Sequence, residues 1–349
     1  MSCSLFEKIM IINFFVMSNE VAQAYDGIAR TAAKVSVEER QNSPTIHLRQ
    51  FNNWIKSTLI DRFCPSPNAT ILDCACGKGG DIPKWKLKNP NEFVFGDISI
   101  DSLKVAYQKY QKVKTQCRAT FIGGDTFSCN ISSMIPKDTR FHISSCQFAF
   151  HYSFRDEVLA RSAVTNLCER LLPGGYVILT IPNACRIVKL LRENSSSRRI
   201  GNSLYYIERN FDMDNIPMFG AEYIFNLIES VNNCAEYLVH PAVMVSLFQE
   251  NKCELVETYP FHDYYHETLK YFPAMAKLFS DLLLRLGVEN AEMTQDEWDV
   301  ISLYSFYVFK KSGVLPPMPE VARYKVPKGN TFEIIDAATG ESTTYSVNS

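Results

Sequence analysis

Three short apolar runs each lead into a carboxylate: Asp73 in TILDC, Asp97 in EFVFGDI and Asp125 in RATFIGGD. Between the first two lies ACGKGGD, residues 75 to 81, a loop containing three glycines. A glycine loop after a first strand lets backbone approach a cofactor closely. The dinucleotide fingerprint G-x-G-x-x-G is met only at Gly77 and Gly80, with Ala75 where the first glycine belongs, and the Walker pattern is absent. Neither phosphate cradle is supported. A carboxylate after the second strand accepts the two hydroxyls of a ribose, and one after the third meets an adenine amino group. The set describes a nucleoside cradle without a pyrophosphate, which is S-adenosylmethionine rather than NAD. One such aspartate alone would be read as a helix cap. Three in register favour a site.

The elements that position these residues follow from the hydrophobic periodicity. LRQFNNWIKSTLIDRF, 48 to 63, places Leu48, Phe51, Ile55, Leu59 and Ile60 at helical spacing, and Pro65 closes it. Strands and helices then alternate through a lysine- and tyrosine-rich helix at 101 to 114, the strand FHISSCQFAF, a helix at 155 to 172 and the strand YVILTIP. Short apolar strands separated by helices predict βαβ units and an α/β, Rossmann-like fold, with a mostly parallel central sheet covered on both faces. After Asn183 the rhythm breaks, and 186–236 reads as an insertion after the fifth strand. A helix at 241–250, a strand CELVETYPF, a helical region and a strand DVISLYSFYVFKK complete the unit. The expected organisation is an N-terminal extension over 1–44, partly disordered, a catalytic domain over 45–311, and a C-terminal tail over 312–349. The tail is proline-rich and polar, so it is expected to be peripheral or disordered.

Composition narrows the partners. The chain has 349 residues, 46% hydrophobic and 21% charged, enough for one large domain with a substantial core. Its 36 basic and 38 acidic side chains leave a net charge of −2, so any anion site is local. Eleven cysteines without a C-x-x-C pair suit free thiols in the cytosol or nucleus, and no zinc or other metal site is expected. The apolar run from Ile9 to Met17 is too short to span a bilayer, and no membrane association is expected.

Six stretches occur in order: LRQFNNWIK, LDCACGKGGD, SCQFAFHYSF, LPGGY with IPN, SVNNCAEYLV and ISLYSFYVF. Together they resemble the messenger-RNA cap guanine-N7 methyltransferase family, from about Tyr25 to Lys310. FNNWIK and CQFAFHYSF carry most of the specificity, because neither belongs to methyltransferases in general. The resemblance implies a donor site holding S-adenosylmethionine beside a site for the 5′-capped end of messenger RNA. On the donor side it assigns Lys56 to the methionine carboxylate and Ala75 to a family glycine lining the donor. It assigns Asp97 to the ribose, Asp125 to the adenine, and Gln147 and Tyr152 to the donor and its methyl region. On the acceptor side, Asn52 and Asn53 lie against the cap, and Lys78, Lys84 and Lys109 neutralise the triphosphate and leading phosphates. Phe148, His151, Pro182, Glu236 and Tyr304 enclose the guanine. The resemblance further implies a nuclear monomer that meets other capping or transcription factors.

The chemistry is consistent with those roles. Guanine presents adjacent N1 and N2 donors that a carboxylate such as Glu236 accepts together, and a base lacking that edge leaves the charge unpaired. The N7 lone pair carries no proton, so no general base is required and no catalytic acid or base is assigned. Two other readings stay open. A catalytically silent cap-binding or scaffolding protein of the same fold is motivated by Ala75, whose methyl group crowds the donor end of the loop. A methyltransferase for a small molecule is the other, disfavoured by the lysines at 78, 84 and 109.

Overall fold

A computed structural model describes residues 43–113, 117–288, 292–318 and 331–347. The expected N-terminal extension lies outside these except for Ser43 and Pro44.

The first helix, α1 (Ile46–Phe63), buries Leu48, Phe51, Trp54, Ile55 and Leu59. Their spacing is one helical stripe. It leaves Asn52, Asn53 and Lys56 half-buried on the rest of the helix surface. Phe51 sits among Trp54, Phe261, Tyr265, Phe279 and Trp298, with ring centroids 5.3–6.2 Å apart. Truncating a phenylalanine so enclosed costs about 3–5 kcal/mol, so α1 is anchored by its apolar side while its polar side stays available.

Five elements build the ligand-bearing half: β1 (Thr70–Cys74), α2 (Ile82–Lys86), β2 (Glu92–Asp97), α3 (Ile100–Lys112) and β3 (Arg118–Gly123). Then follow β4 (Phe141–Gln147), a 3₁₀ turn (Phe150–Arg155), α4 (Glu157–Cys168) and β5 (Leu171–Pro182). Every residue of β1 and β2 is buried. Such unbroken burial is what a strand covered by helices on both faces shows, and it explains why these strands read as apolar runs rather than alternating ones. The stretch 186–236 holds most of α5 (Ala184–Glu193) and a separate antiparallel sheet, β6 (Arg199–Gly201), β7 (Tyr205–Arg209), β8 (Glu222–Leu227) and β9 (Val231–Tyr237). The chain continues through α6 (Pro241–Glu250), β10 (Cys253–Pro260), α7 (Phe261–Tyr271), α8 (Pro273–Leu284), α9 (Gln295–Ser302) and β11 (Tyr304–Lys311). It ends in a hairpin of β12 (Thr331–Asp336) and β13 (Ser342–Ser346).

The central sheet has nine strands in the order β10-β11-β5-β4-β1-β2-β3-β12-β13. Strands β5, β4, β1, β2, β3 and β12 are parallel, whereas β11, β10 and β13 pair antiparallel. One apolar cluster, including Trp54, Trp85 and Phe95, lies under α1 to α3; the other, including Phe150, Leu167 and Phe248, lies under α4 and α6. The fold is therefore the expected α/β sheet with both faces covered.

Two expectations change. The strand over DVISLYSFYVFKK begins at Tyr304, because its first four residues finish α9, a helix started by a capping box between Thr294 and Glu297. The polar tail is not merely peripheral: β12 adds a strand to the open edge of β3. A strand with one face on the core needs only alternate apolar residues, here Phe332 and Ile334, which a polar average conceals.

Candidate functional site

The glycine loop is shaped by three consecutive reversals of backbone hand. Ala75, Gly77 and Gly79 all have positive φ, at 57°, 52° and 62°. At Gly79 a side chain is excluded as well, since an added Cβ would lie 2.5 Å from Ile82 Cδ1. Ala75 occupies a left-handed position at a cost of about 1–2 kcal/mol, which is the physical reason glycine suits that place. Asp97 locks the loop. Its Oδ2 accepts the Gly77 N–H at 2.7 Å and its Oδ1 accepts the Ser99 N–H at 2.9 Å. Asp125 Oδ1 accepts the Phe127 N–H at 3.0 Å, a local turn that fixes the loop after β3.

Asp73 behaves differently from its two counterparts. It is buried beneath α2 and accepts the indole N–H of Trp85 at 3.1 Å. Burial, reinforced by the charge of Asp81, pushes its pKa up to about 7. Asp81, quoted in the motif but given no role by the sequence, is the hub of the loop. Lys56 and Lys84 approach its Oδ1 at 3.0 and 2.8 Å. Burial alone would raise the Asp81 pKa, but these two ammonium groups outweigh it and hold it at about 2.

Lys84 spends its three N–H donors on Asp81 Oδ1, the Asn53 side-chain oxygen at 3.1 Å and the Gly80 carbonyl at 3.2 Å. The sequence expectation made it a phosphate contact; here it fastens α1 to the glycine loop and contributes charge. Burial lowers the pKa of Lys78, and burial joined by the ammonium groups of Lys78 and Lys56 lowers that of Lys109. Lys56 and Lys84 thus share Asp81, and Lys109 lies within electrostatic reach of Lys78, Lys56, Lys84 and Asp81. That is a local anion site on a chain of nearly balanced charge.

The second half of the site lies where β4 ends. Gln147 donates from Nε2 to Ser145 Oγ at 3.1 Å and the Ile178 carbonyl at 3.3 Å. The next residue, Phe148, has φ of +60°, a strained conformation for an aromatic residue. Its N–H is held by the Thr180 carbonyl and Oγ1, both at 2.9 Å. The reversal turns its ring edge-on to Tyr304, centroids 5.3 Å apart, and to Phe261 at 6.0 Å. Pro182 ends β5 directly opposite Tyr304 in the β5–β11 register. Backbone strain of this kind, fixed by surrounding contacts, belongs to sites where a side chain must be aimed.

His151, in the 3₁₀ turn after β4, meets Glu236 of β9. Both are buried, with Nε2 and Oε1 3.4 Å apart. That is an ion-pair distance without hydrogen-bond geometry, and neither ring nitrogen of His151 has a hydrogen-bond partner. Glu236 Oε2 accepts the Tyr223 hydroxyl at 2.8 Å across the β8–β9 pair. The Tyr152 ring lies 4.3 Å from that of His151. Among the described residues, five buried side-chain polar atoms lack a hydrogen-bond partner, and three belong to Gln147 and His151. Orphaned polar groups concentrated at one place mark a ligand site, because leaving each unmade costs about 1–3 kcal/mol. By contrast a groove of about 820 Å³ beside α5, lined by Val188, Ile216 and Leu238 among others, contains none of the candidate residues.

The chain matches the mRNA (guanine-N(7))-methyltransferase domain over residues 16–312. It belongs to that family. An mRNA cap guanine-N(7) methyltransferase 1 of Oryza sativa is 37% identical over 299 residues, covering 80% of this chain and 79% of the relative. The Arabidopsis thaliana protein of the same description is 36% identical, covering 80% and 78%. The Drosophila melanogaster mRNA cap guanine-N(7) methyltransferase is 31% identical, covering 83% and 76%. Among solved structures, an S-adenosylmethionine-dependent methyltransferase from Clostridium acetobutylicum is similar at a TM-score of 0.44 and 14% identity, over 84% of this chain and 99% of that one.

As a member of this family the chain is a methyltransferase whose methyl donor is S-adenosylmethionine. The residues fit that donor. The orphaned Gln147 Oε1 suits a cationic or N–H-bearing group, Asp97 sits where the loop turns back, and Lys56 carries the charge a carboxylate requires. Of the residues expected from the sequence, Lys56, Asn53 and Lys84 gather with the loop around Asp81, and Lys109 and Lys78 lie within electrostatic reach of one another beside it. His151, Tyr152 and Glu236 form a second group, and Phe148, Tyr304 and Pro182 a third. Asn52 is placed beside Asn53 by α1. Sequence reasoning missed Asp81, Tyr223, Thr180 and Phe261. Asp81 carried a signal, an acid closing a lysine-bearing loop; the other three gave none, since their partners are distant in the chain.

Proposed function

We propose that the chain transfers a methyl group to N7 of the terminal guanosine of GpppN-capped RNA by direct in-line displacement, without a general base. The observation that carries the reading is the buried His151–Glu236 pair, 3.4 Å apart with both His151 ring nitrogens lacking a hydrogen bond, and with His151 three residues after the strained Phe148. Glu236, steadied by the Tyr223 hydroxyl, accepts the N1 and N2 hydrogens of guanine. A carboxylate so buried discriminates strongly against a base that offers acceptors there instead. His151 completes the polar wall, and Phe148, Tyr304 and Pro182 hold the flat faces of the base. Asn52 and Asn53 flank the cap from α1. Lys78 and Lys109 neutralise its phosphates, with Lys84 adding charge from its fixed place.

On the donor side Asp97 holds the ribose, Asp125 the adenine and Lys56 the methionine carboxylate, with Ala75, Gln147 and Tyr152 lining the rest. Bound S-adenosylmethionine supplies an electrophilic sulfonium methyl. The chain's own contribution is alignment, which is capable of supplying roughly 7–11 kcal/mol, and a negative, aromatic enclosure for a guanine ring that turns cationic. Because that charge develops during transfer, Glu236 and the aromatic faces help the transition state more than the ground state. The enzyme acts as a monomer on transcripts in the nucleus.

Incubation with methyl-labelled donor and with GTP or GpppN-capped RNA as rival acceptors tests the reading. Label appears on N7 of the cap guanine, and capped RNA outcompetes GTP. Donor binding without transfer to either acceptor overturns it.

A further inference from the structure

We propose that the C-terminal hairpin, β12 and β13, is a positioning element for the adenine side of the donor site. The inference rests on the assignment of Asp125 to the adenine.

Its location is unusual for a strand that only covers an edge. β12 pairs with β3 in parallel at the last two positions of that strand, Ile335 with Ile122 and Asp336 with Gly123. It therefore caps the carboxyl end, where ligands sit in an open parallel sheet. Immediately beyond the pairing, the Ala337 N–H donates to the Gly123 carbonyl at 2.8 Å. The neighbouring Gly124 has φ of +127°, and a Cβ there would lie 2.8 Å from that of Ala337. On its other side the Gly124 N–H donates to the Asp97 carbonyl at 2.9 Å. The single residue between β3 and Asp125 is thus clamped between the hairpin and the backbone of the ribose-side carboxylate.

The hairpin is itself well anchored. The Phe332 ring stacks on Tyr107 at 4.1 Å and 6°, and the Tyr107 hydroxyl donates to the Thr331 carbonyl at 3.2 Å. Phe332, Ile334 and Ala337 are buried. The turn after β12 is rigid, because Asp336 Oδ1 accepts the N–H groups of Ala338 and Thr339, both at 2.9 Å. From the opposite face the buried Asn166 holds the same loop through the Thr126 and Cys129 carbonyls at 2.9 and 2.6 Å. Two supports, one from α4 and one from the hairpin, leave the segment bearing Asp125 little freedom. The match to the family domain ends at residue 312, before the hairpin begins.

The test uses full-length variants. Ala337→Pro removes the bond to Gly123, Phe332→Ala releases the hairpin from α3, and Ala337→Ser and Phe332→Tyr are their conservative counterparts. Loss of one such bond weakens donor binding by roughly fivefold. The expected result is a rise in the KM for S-adenosylmethionine with kcat and the KM for capped RNA unchanged, and near-normal values in the conservative variants. Calorimetry should also show the two disruptive variants losing the preference of the wild type for S-adenosylhomocysteine over its 6-deaminated analogue, S-inosylhomocysteine. A purely structural strand would lower the melting temperature without touching that preference, which overturns the proposal. Asp125→Asn serves as the reference. If it weakens donor binding and the hairpin variants do not, the hairpin inference alone fails. If Asp125→Asn has no effect, the adenine assignment fails and the inference falls with it.

Discussion

The donor half and the acceptor half of the site satisfy their polar groups in opposite ways. Around the glycine loop nearly every charge is already answered by the protein: Asp97 by two backbone N–H groups, Asp81 by two lysines, Lys84 by three acceptors. In the proposed guanine pocket His151 keeps both ring nitrogens without a hydrogen-bond partner, 3.4 Å from Glu236. The difference teaches how one site handles two ligands. The donor loop has strained backbone to hold, three left-handed residues in five, and internal bonds pin it before a ligand arrives. The acceptor pocket must recognise one base among several, and unmade hydrogen bonds are what make a wrong base costly.

Substitutions on each side sharpen the contrast. The largest effect is expected of Glu236→Ala, which removes the proposed acceptor of the guanine edge: kcat/KM for capped RNA should fall roughly 10²-fold or more while S-adenosylhomocysteine binding by calorimetry stays within about twofold. Equal loss on both sides would break the distinction. Asp97→Asn comes next. It weakens charge-assisted bonds to Gly77 and Ser99, and donor affinity should drop about 10- to 100-fold, with a lower melting temperature because the loop loses its pin. A variant with normal donor affinity would show that Asp97 serves only the loop.

Lys109→Ala tests the anion end. The slope of log affinity against log salt for capped RNA should become shallower by about 0.7, with little change in donor binding. An unchanged slope would assign Lys109 to the solvated surface of α3. A pH effect follows from Asp73. Its folded pKa of about 7 lies above the ordinary 3.8, so its contribution to stability is full below pH 3.8 and is lost as pH rises toward 7. Asp73→Asn, which keeps an acceptor for Trp85, should therefore gain in melting temperature over wild type as pH rises from 5 to 8, the gain levelling above 7. A pH-independent difference would contradict burial of the carboxyl. The smallest effect is expected of Ala75→Gly, which relaxes one left-handed residue and raises the melting temperature by about 2 °C with activity nearly unchanged.

The donor half was far more legible in the sequence than the acceptor half. Asp73, Asp97 and Asp125 each follow a short apolar run, so local pattern places them at strand ends. Two of them do fulfil the cap-like role that a lone aspartate suggests, accepting the N–H groups of Ser99 and Phe127. Asp73 was indistinguishable from them in sequence, yet burial under α2 raises its pKa to about 7, and burial depends on what α2 packs over it. His151 and Glu236 are 85 residues apart, one in the 3₁₀ turn after β4 and the other in β9 of the small sheet. No spacing rule joins them; only the resemblance to a family pointed to the pair. The hairpin at 331–346 was hidden for another reason, its apolar residues being too few to lift a polar tail above the average.

The sequence by itself determined the parallel sheet, the order of the loop and its carboxylates, and the α1 stripe, because each is written in periodicities of two or 3.6 residues along a continuous stretch. The tertiary structure decided which lysines are spent on Asp81, that Phe148 is turned against its preferred backbone, that Tyr223 steadies Glu236, and that the tail returns to cap β3. Each of those depends on atoms brought together from distant parts of the chain, where burial sets which charges and hydrogen bonds survive, and burial is a property of the packed molecule rather than of any segment.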